Sequence, residues 1–408
     1  MDLSSLSFHA SLEEQWDKED EPEEVEIVLK VVPTAYHQYF HVFHRVKAEN
    51  PPPHCACDHH IELEGLLPPV GVIYSLSNQD SETLKNRYPV PPMNQLLTVF
   101  NGSAIFSKID LCAAYNLLRI KEGDEHLAAF RAIYGRYEYL VMPFDLTNAP
   151  ASFQNLVNDI LADVLDIFVV VHVDDIMVFS SYKEEHVKNV ASVLQRLREN
   201  NLFAKASKCV FHASSEEYLA YVVLSDGAKM DSSKVERMLY WPQLKNIKPL
   251  QSFLGFAKLY PCLIKNYSKN TNVLTSFLKK DSPLIFNEEA PSQLQILKEA
   301  FTTAPILSHF NPSLPNIVET DASDYTLGAV LSQVNDSGKH PIAFDSRKLL
   351  PAELNYEIHD MELLGIVWAI KPCLDSLLSL SNHFEVLKDH SSLQYLMSSK
   401  VLACFQAC

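Results

Sequence analysis

The sequence predicts an α+β fold, and three observations predict it. Apolar and polar residues alternate at strand spacing in SAIFSKIDL (103–111), and an apolar run brackets the acids of VVVHVDDIMVFS (169–180). Apolar residues recur at helical spacing in 150–165 and 181–202. From residue 316 onward, strand and helix patterns alternate again. With 408 residues and 47% hydrophobic content, the chain can bury two or three cores.

In order, residues 1–27 read as an acidic, disordered leader. Nine acids against Lys18 fall within 11–26, a local balance of −8. Residues 28–75 are Pro-rich, with PPP at 51–53 and PP at 68–69, and read as extended and loop-like. Within them HCACDHH, starting at His54, has the look of a metal site. No second Cys or His pair lies at zinc-finger spacing, so structural zinc is not the reading taken.

SAIFSKIDL and YEYLVMPF (137–144) are expected strands. PASFQNLVNDILADVL (150–165) is an expected helix, with Pro150 tolerated near its start. SYKEEHVKNVASVLQRLRENNL (181–202) is a second, apolar at Val187, Val190, Val193, Leu194 and Leu197. Residues 208–227 read as a hairpin, and 250–269 as a helix that Pro261 kinks or breaks. NIVETDAS, TLGAVLSQ, KHPIAFDSRKL and HFEVLKDHS are expected strands, with a helix over 355–374.

No apolar run approaches the roughly 20 residues of a membrane helix, and the N-terminus lacks the features of a signal peptide. The eight cysteines are scattered. Together these predict an intracellular protein of the cytoplasm or nucleus, without a membrane partner. The net charge of −17 argues at first against nucleic acid. Yet residues 229–280 carry ten bases against Asp231 and Glu236, a local +8 that suits either a solvated face or a phosphate-contacting surface. Glycine is scarce, 10 of 408, where close approaches and left-handed turns normally consume it.

Asp174 and Asp175 sit inside an apolar run, where two touching carboxylates are expensive. One reading is a hairpin tip. Such a tip normally has Gly or Asn beside the Asp, and here it has neither. The other reading is that a hard divalent cation such as Mg²⁺ neutralises the pair. A third carboxylate is then needed, and Asp110 closes the strand IFSKID.

FSKIDLCAAYNLLRIKEGDE, YEYLVMPFDLTNAPASFQ, VVVHVDDIMVFS, FHASSEEYLAYVV, KVERMLYWPQ, LQSFLGFAKLY and VETDASDYTLGAVLSQ resemble the reverse transcriptase of gypsy-type long-terminal-repeat retrotransposons. The likeness runs over roughly residues 30–395. It implies a polymerase palm and thumb with a ribonuclease H-like mixed α/β domain at the C-terminus. The implied layout is a leader at 1–27, an N-terminal segment with remnant fingers at 28–95, a palm at 96–228, a thumb/connection at 229–312 and a truncated ribonuclease H-like domain at 313–408. It implies an RNA-directed DNA polymerase with ribonuclease H activity.

By the same resemblance Asp110, Asp174 and Asp175 are catalytic metal ligands of the palm, and Asp321, Glu362 and Asp389 those of the nuclease. Each centre would hold two Mg²⁺, with Mn²⁺ as a substitute. Tyr115 would exclude a ribose 2′-hydroxyl, and Gln154 would contact template and nucleotide. The implied partners are RNA/DNA template-primer, RNA–DNA hybrid and dNTP; the oligomeric state is not implied.

The sequence also departs from the family. SLSNQDSETLK (75–85) runs directly into NRYPVPPM (86–93), where the family has several tens of residues of fingers. Asp145 and Ala220 stand where glycine is usual, His172 where tyrosine is usual, and Cys112 where arginine is usual. Pro261–Cys262 interrupts a basic helix, and the chain ends before a fourth nuclease acid. These departures suit a second reading: a catalytically inactive retrotransposon-derived remnant, or a domesticated binding module.

Overall fold

The structure is a computed structural model that describes residues 22–48, 50–55, 57–61, 99–133, 135–144, 146, 148–219, 221–242, 246–278, 289–378 and 383–388. The chain divides into two compact units. One takes residues 1–92 and 102–216, the other 93–101 and 217–408.

The first unit opens with helix α1 (Pro22–Val31), its proline at the helix start, where a missing N–H costs nothing. The helix begins inside the segment expected to be a disordered leader; residues 1–21 lie outside the described residues. A 3₁₀ segment follows at Thr34–Phe43 and buries Tyr36, Tyr39, Phe40, Val42 and Phe43. This corrects the loop-like reading over residues 28–48; residues 62–75 of that segment lie outside the described residues. The aromatic side chains of YHQYFHVF fall at helical spacing, and their burial outweighs the surrounding prolines.

The central sheet has the order β4-β5-β1-β6, from β1 (Ile105–Asp110), β4 (Val169–His172), β5 (Asp175–Ser180) and β6 (Val210–Ala213), with every pairing antiparallel. Ile176, Met177, Val178 and Phe179 are all buried because β5 is an inner strand of this sheet. Helices α2 (Ala149–Leu161) and α3 (Lys183–Glu199) pack on β4 and β5. Glu184 and Glu185 in the first turn of α3, and Arg196 and Arg198 in its last, match its dipole. Its buried face is Val190, Val193, Leu194 and Leu197.

The strand expected over 137–144 is shorter. It forms as β3 (Gly135–Glu138) in a two-stranded ribbon with β2 (Ala129–Ala132). Beyond it, among the described residues, Val141 bridges to Arg119. Pro143 offers no N–H to a ladder, and among the described residues no third strand continues the ribbon.

The chain passes from one unit to the other within β7 (Ser215–Tyr218). The hairpin read over 208–227 is also displaced. Val210–Ala213 joins the central sheet as β6, and the hairpin proper is β8 (Tyr221–Leu224) with β9 (Gly227–Met230). Gly227 has φ +157°, and a Cβ there would collide with the Leu307 carbonyl oxygen. That closeness lets Ala228 and Leu307 exchange backbone hydrogen bonds of 2.7 and 2.9 Å.

Helices α4 (Ser232–Leu239), α5 (Ile247–Ala257) and α6 (Glu289–Thr302) enclose Met238, Leu250, Phe253, Tyr260, Leu297 and Phe301. As expected, Pro261 marks a break: α5 stops at Ala257, and a 3₁₀ turn occupies Pro261–Leu263. A second four-stranded sheet follows in the order β12-β11-β10-β13, from β10 (Asn316–Ala322), β11 (Thr326–Asn335), β12 (Gly338–Lys348) and β13 (Glu385–Lys388). Helix α7 (Ile358–Leu378) packs on β10 and β11. Among the described residues no helix is long and apolar enough to cross a membrane.

Candidate functional site

Backbone pairing brings Asp110, Asp174 and Asp175 to one end of the central sheet. The β1–β5 register ends on Asp110 opposite Asp175, and the Leu111 N–H donates to the Asp174 carbonyl at 2.9 Å. The β4–β5 register ends on His172 opposite Asp175, leaving Val173 and Asp174 as a two-residue turn. Val173 has φ +56°, a left-handed conformation that costs a non-glycine residue about 1–2 kcal/mol. A chain short of glycine thus places a β-branched residue where glycine would be unstrained.

What holds the turn is Gln154, fully buried on α2. The Val173 N–H donates to its Oε1 at 2.7 Å. Its Nε2 donates to the Val171 carbonyl at 3.3 Å and to Asn158 Oδ1 at 2.8 Å. In this structure the amide is turned into the protein and spent on the turn. Tyr115 does border the site. Its ring meets Phe144 and Phe153 edge-on at 4.9 and 5.9 Å, and burial followed by the charge of Asp174 pushes its phenol up.

Two lysines stand among the acids. Lys208 Nζ donates to Asp110 Oδ2 at 3.1 Å, and Lys108 Nζ pairs with Asp175 Oδ1 at 3.1 Å. The hydrogen bond to Asp110 raises the Lys208 ammonium, and Asp174 and Asp175 add to the effect. Burial pushes the Asp175 carboxyl up; Lys108 opposes this, while Asp174 and Asp110 reinforce it. The acids therefore share one electrostatic neighbourhood around a cleft of about 380 Å³, lined by Asp110, Cys112, Tyr115, Phe144, Asp174 and Lys208.

Among the described residues no three His, Cys, Asp or Glu side chains converge as a metal-ligating group. The donor set nevertheless suits a hard cation, since carboxylates at one strand end need positive charge and two ammoniums now supply it. Lys208 is 56% exposed along its side chain and free to withdraw into solvent.

Under the sheet, buried His186 hydrogen-bonds Ser107 at 2.7 Å and Ser180 at 3.0 Å. Burial, with His212 adding to it, pulls its imidazole down to about 4. The unfolded chain thus takes up this proton first, near the ordinary 6.5, as pH falls. The stability held in neutral His186 is intact above that value and is lost as pH falls toward 4. We expect urea midpoints to decline over this window, and to decline less in His186→Gln; identical profiles would refute the assignment.

HCACDHH folds as a local turn. His54 Nδ1 lies 2.5 Å from Asp58 Oδ2, and the Cys55 N–H donates to Asp58 Oδ1 at 3.0 Å. His59 reaches Ser152 at 2.9 Å and His60 reaches Asp124 at 2.5 Å, so the histidines diverge. Asp145, Ala220 and residues 75–93, where departures from the resembled family are expected, lie outside the described residues.

In the second unit Asp321 lies near the end of β10 and Glu362 on α7, which packs against that strand. β13 runs parallel to β10, with Thr320 opposite Lys388 as its last pair. Asp389 is the next residue and lies outside the described residues. Lys388 forms an ion pair with the Glu362 carboxylate, and its Nζ also donates to the Glu362 carbonyl at 3.1 Å. Burial pulls this ammonium down to about 8, opposed by the charge of Asp321. The carboxylates are of the right type for a divalent cation, but at Glu362 an ammonium already provides the neutralising charge.

Sequence reading missed Lys108, Lys208 and Lys388. Lys108 lies two residues before Asp110, hence on the same strand face, and Lys388 directly precedes Asp389. Either signal also describes an ordinary solvated lysine.

Residues 74–223 match the family model described as reverse transcriptase (RNA-dependent DNA polymerase). Residues 286–386 match that of the RNase H-like domain found in reverse transcriptase. Transposon Tf2-3 and Tf2-7 polyproteins of Schizosaccharomyces pombe are each 39% identical to this chain over 309 residues. That match covers 76% of this chain but 23% of each polyprotein. The foamy viral protease-reverse transcriptase with an RNA/DNA hybrid superposes with a TM-score of 0.66 at 22% identity, over 78% of this chain and 44% of that one. A form of the same protein with ds DNA gives 0.66 at 22%, over 80% and 59%. The fold is thus that of a reverse transcriptase domain followed by an RNase H-like domain.

Proposed function

We propose that this chain, a reverse transcriptase domain followed by a ribonuclease H-like domain, is the corresponding segment of a gypsy-type retrotransposon polyprotein and performs RNA-directed DNA synthesis. The observation that carries the proposal is the register that sets Asp110 opposite Asp175 with Asp174 in the adjoining turn. Asp110, Asp174 and Asp175 would hold divalent cations, Mg²⁺ or Mn²⁺. When bound, these supply Lewis-acid activation of a primer hydroxyl and charge stabilisation of the leaving pyrophosphate.

The remaining work falls to the chain's own groups. The apolar wall of Tyr115 and Phe144 excludes water and limits space beside the sugar. Gln154 keeps the turn, and so Asp174, in position. Lys108 and Lys208 neutralise the acids until substrate and cations arrive. The ten bases over 229–280 are suited to duplex phosphates. Template-primer and dNTP are the substrates of this reading.

For the second domain, Asp321, Glu362 and Asp389 are the proposed ligands for hydrolysis of the RNA strand of an RNA–DNA hybrid. Primer extension on RNA and DNA templates tests the first activity, with Asp174→Asn as control. Cleavage of a labelled hybrid tests the second. It should fall about 10²–10³-fold in Asp321→Asn, the scale of losing one charge-stabilising group. Cleavage unaffected by Asp321→Asn would remove that residue from the reaction.

A further inference from the structure

We propose that the Lys388 ammonium is a built-in competitor for the divalent cation of the ribonuclease H-like domain, holding the Glu362 carboxylate that the cation must claim. This assumes, as above, that Asp321 and Glu362 are cation ligands. Three observations carry it. Lys388 is the last residue of β13, and its parallel pairing opposite Thr320 fixes the backbone from which its side chain extends. Its ammonium lies against the Glu362 carboxylate as an ion pair, and its one hydrogen bond to Glu362 goes to the backbone carbonyl at 3.1 Å. Both partners are nearly sealed from water, with side chains 9% and 7% exposed.

An ammonium and a divalent ion cannot share one carboxylate oxygen, because like charges at contact distance repel strongly where water is scarce. Occupation by the cation therefore requires Lys388 to leave a buried ion pair, and breaking such a pair one-sidedly is costly. The polymerase acids differ. Lys208 is 56% exposed along its side chain and can withdraw into water, and Lys108, at 20%, is less enclosed than Lys388. The two centres of one chain thus demand different cation concentrations, the nuclease centre the higher. Lys388 sets that difference without touching the RNA.

The test uses the full chain carrying Asp110→Asn, Asp174→Asn and Asp175→Asn, so that cation binding reports the second centre. Mn²⁺ is titrated calorimetrically against this parent, Lys388→Met, which keeps length and packing, and Lys388→Arg, which keeps the charge. In Lys388→Met we expect Mn²⁺ to bind at least about tenfold tighter, with the Mn²⁺ midpoint of hybrid cleavage falling in step. Lys388→Arg should stay near the parent. Lys388→Thr repeats the comparison should the methionine variant fail to fold. Equal Mn²⁺ affinity in parent and neutral variants, still abolished by Asp321→Asn, would overturn the competitor role and leave the ligand assignment standing. Affinity indifferent to Asp321→Asn would overturn the ligand assignment and the competitor with it.

Discussion

Replacing Asp174 or Asp175 by asparagine is expected to lower templated DNA synthesis by at least about 10²–10³-fold, the range seen when one preorganised charge-stabilising group is lost. Primer extension under single-turnover conditions reads this directly. Stability should not fall with activity. The Asp175 carboxyl is raised by burial, so its folded-state value lies above the unfolded one. Such an acid opposes folding once pH rises through that window and helps below it. At neutral pH, Asp175→Asn should therefore melt no lower than the parent, despite losing the Lys108 partner. An inactive variant with an unchanged or higher Tm is the expected signature. A variant that retains extension would remove these acids from the reaction.

Gln154→Met is the second large effect we expect. Methionine keeps the length and apolar contacts of the side chain but not its amide. The Val173 N–H and the Val171 carbonyl lose their Gln154 partner, and an unsatisfied buried group costs about 1–3 kcal/mol. The strained φ of Val173 is then free to relax, carrying Asp174 with it. Misplacement of a reacting group by about 1 Å can cost about 10²-fold. A fall in kcat of that order, with KM for dNTP little changed, is the expected split. A raised KM with kcat preserved would instead support the direct nucleotide contact that family resemblance implied for Gln154.

Much of this architecture was legible in the sequence because the signals are local. Apolar spacing announced α2 and α3, and the alternation in SAIFSKIDL announced β1 with Asp110 at its end. The acid pair within an apolar run announced a hairpin whose tip had to be special. The aromatic run at 36–43 was equally periodic, yet flanking prolines and an acidic neighbourhood masked it. The ribbon at 129–138 ended early because, among the described residues, nothing beside it offered a further ladder.

By itself the sequence determined which segments become strands and helices and which acids end them, because periodicity and strand ends depend on chain neighbours. Only the tertiary structure decided what those acids face. Lys208 meets Asp110 across 98 residues and Lys388 meets Glu362 across 26. The amide of Gln154 is drawn into the Val173 turn rather than the cleft. A long polar side chain finds its partner through whichever elements pack beside it, and a buried charge or amide must take the nearest partner that satisfies it.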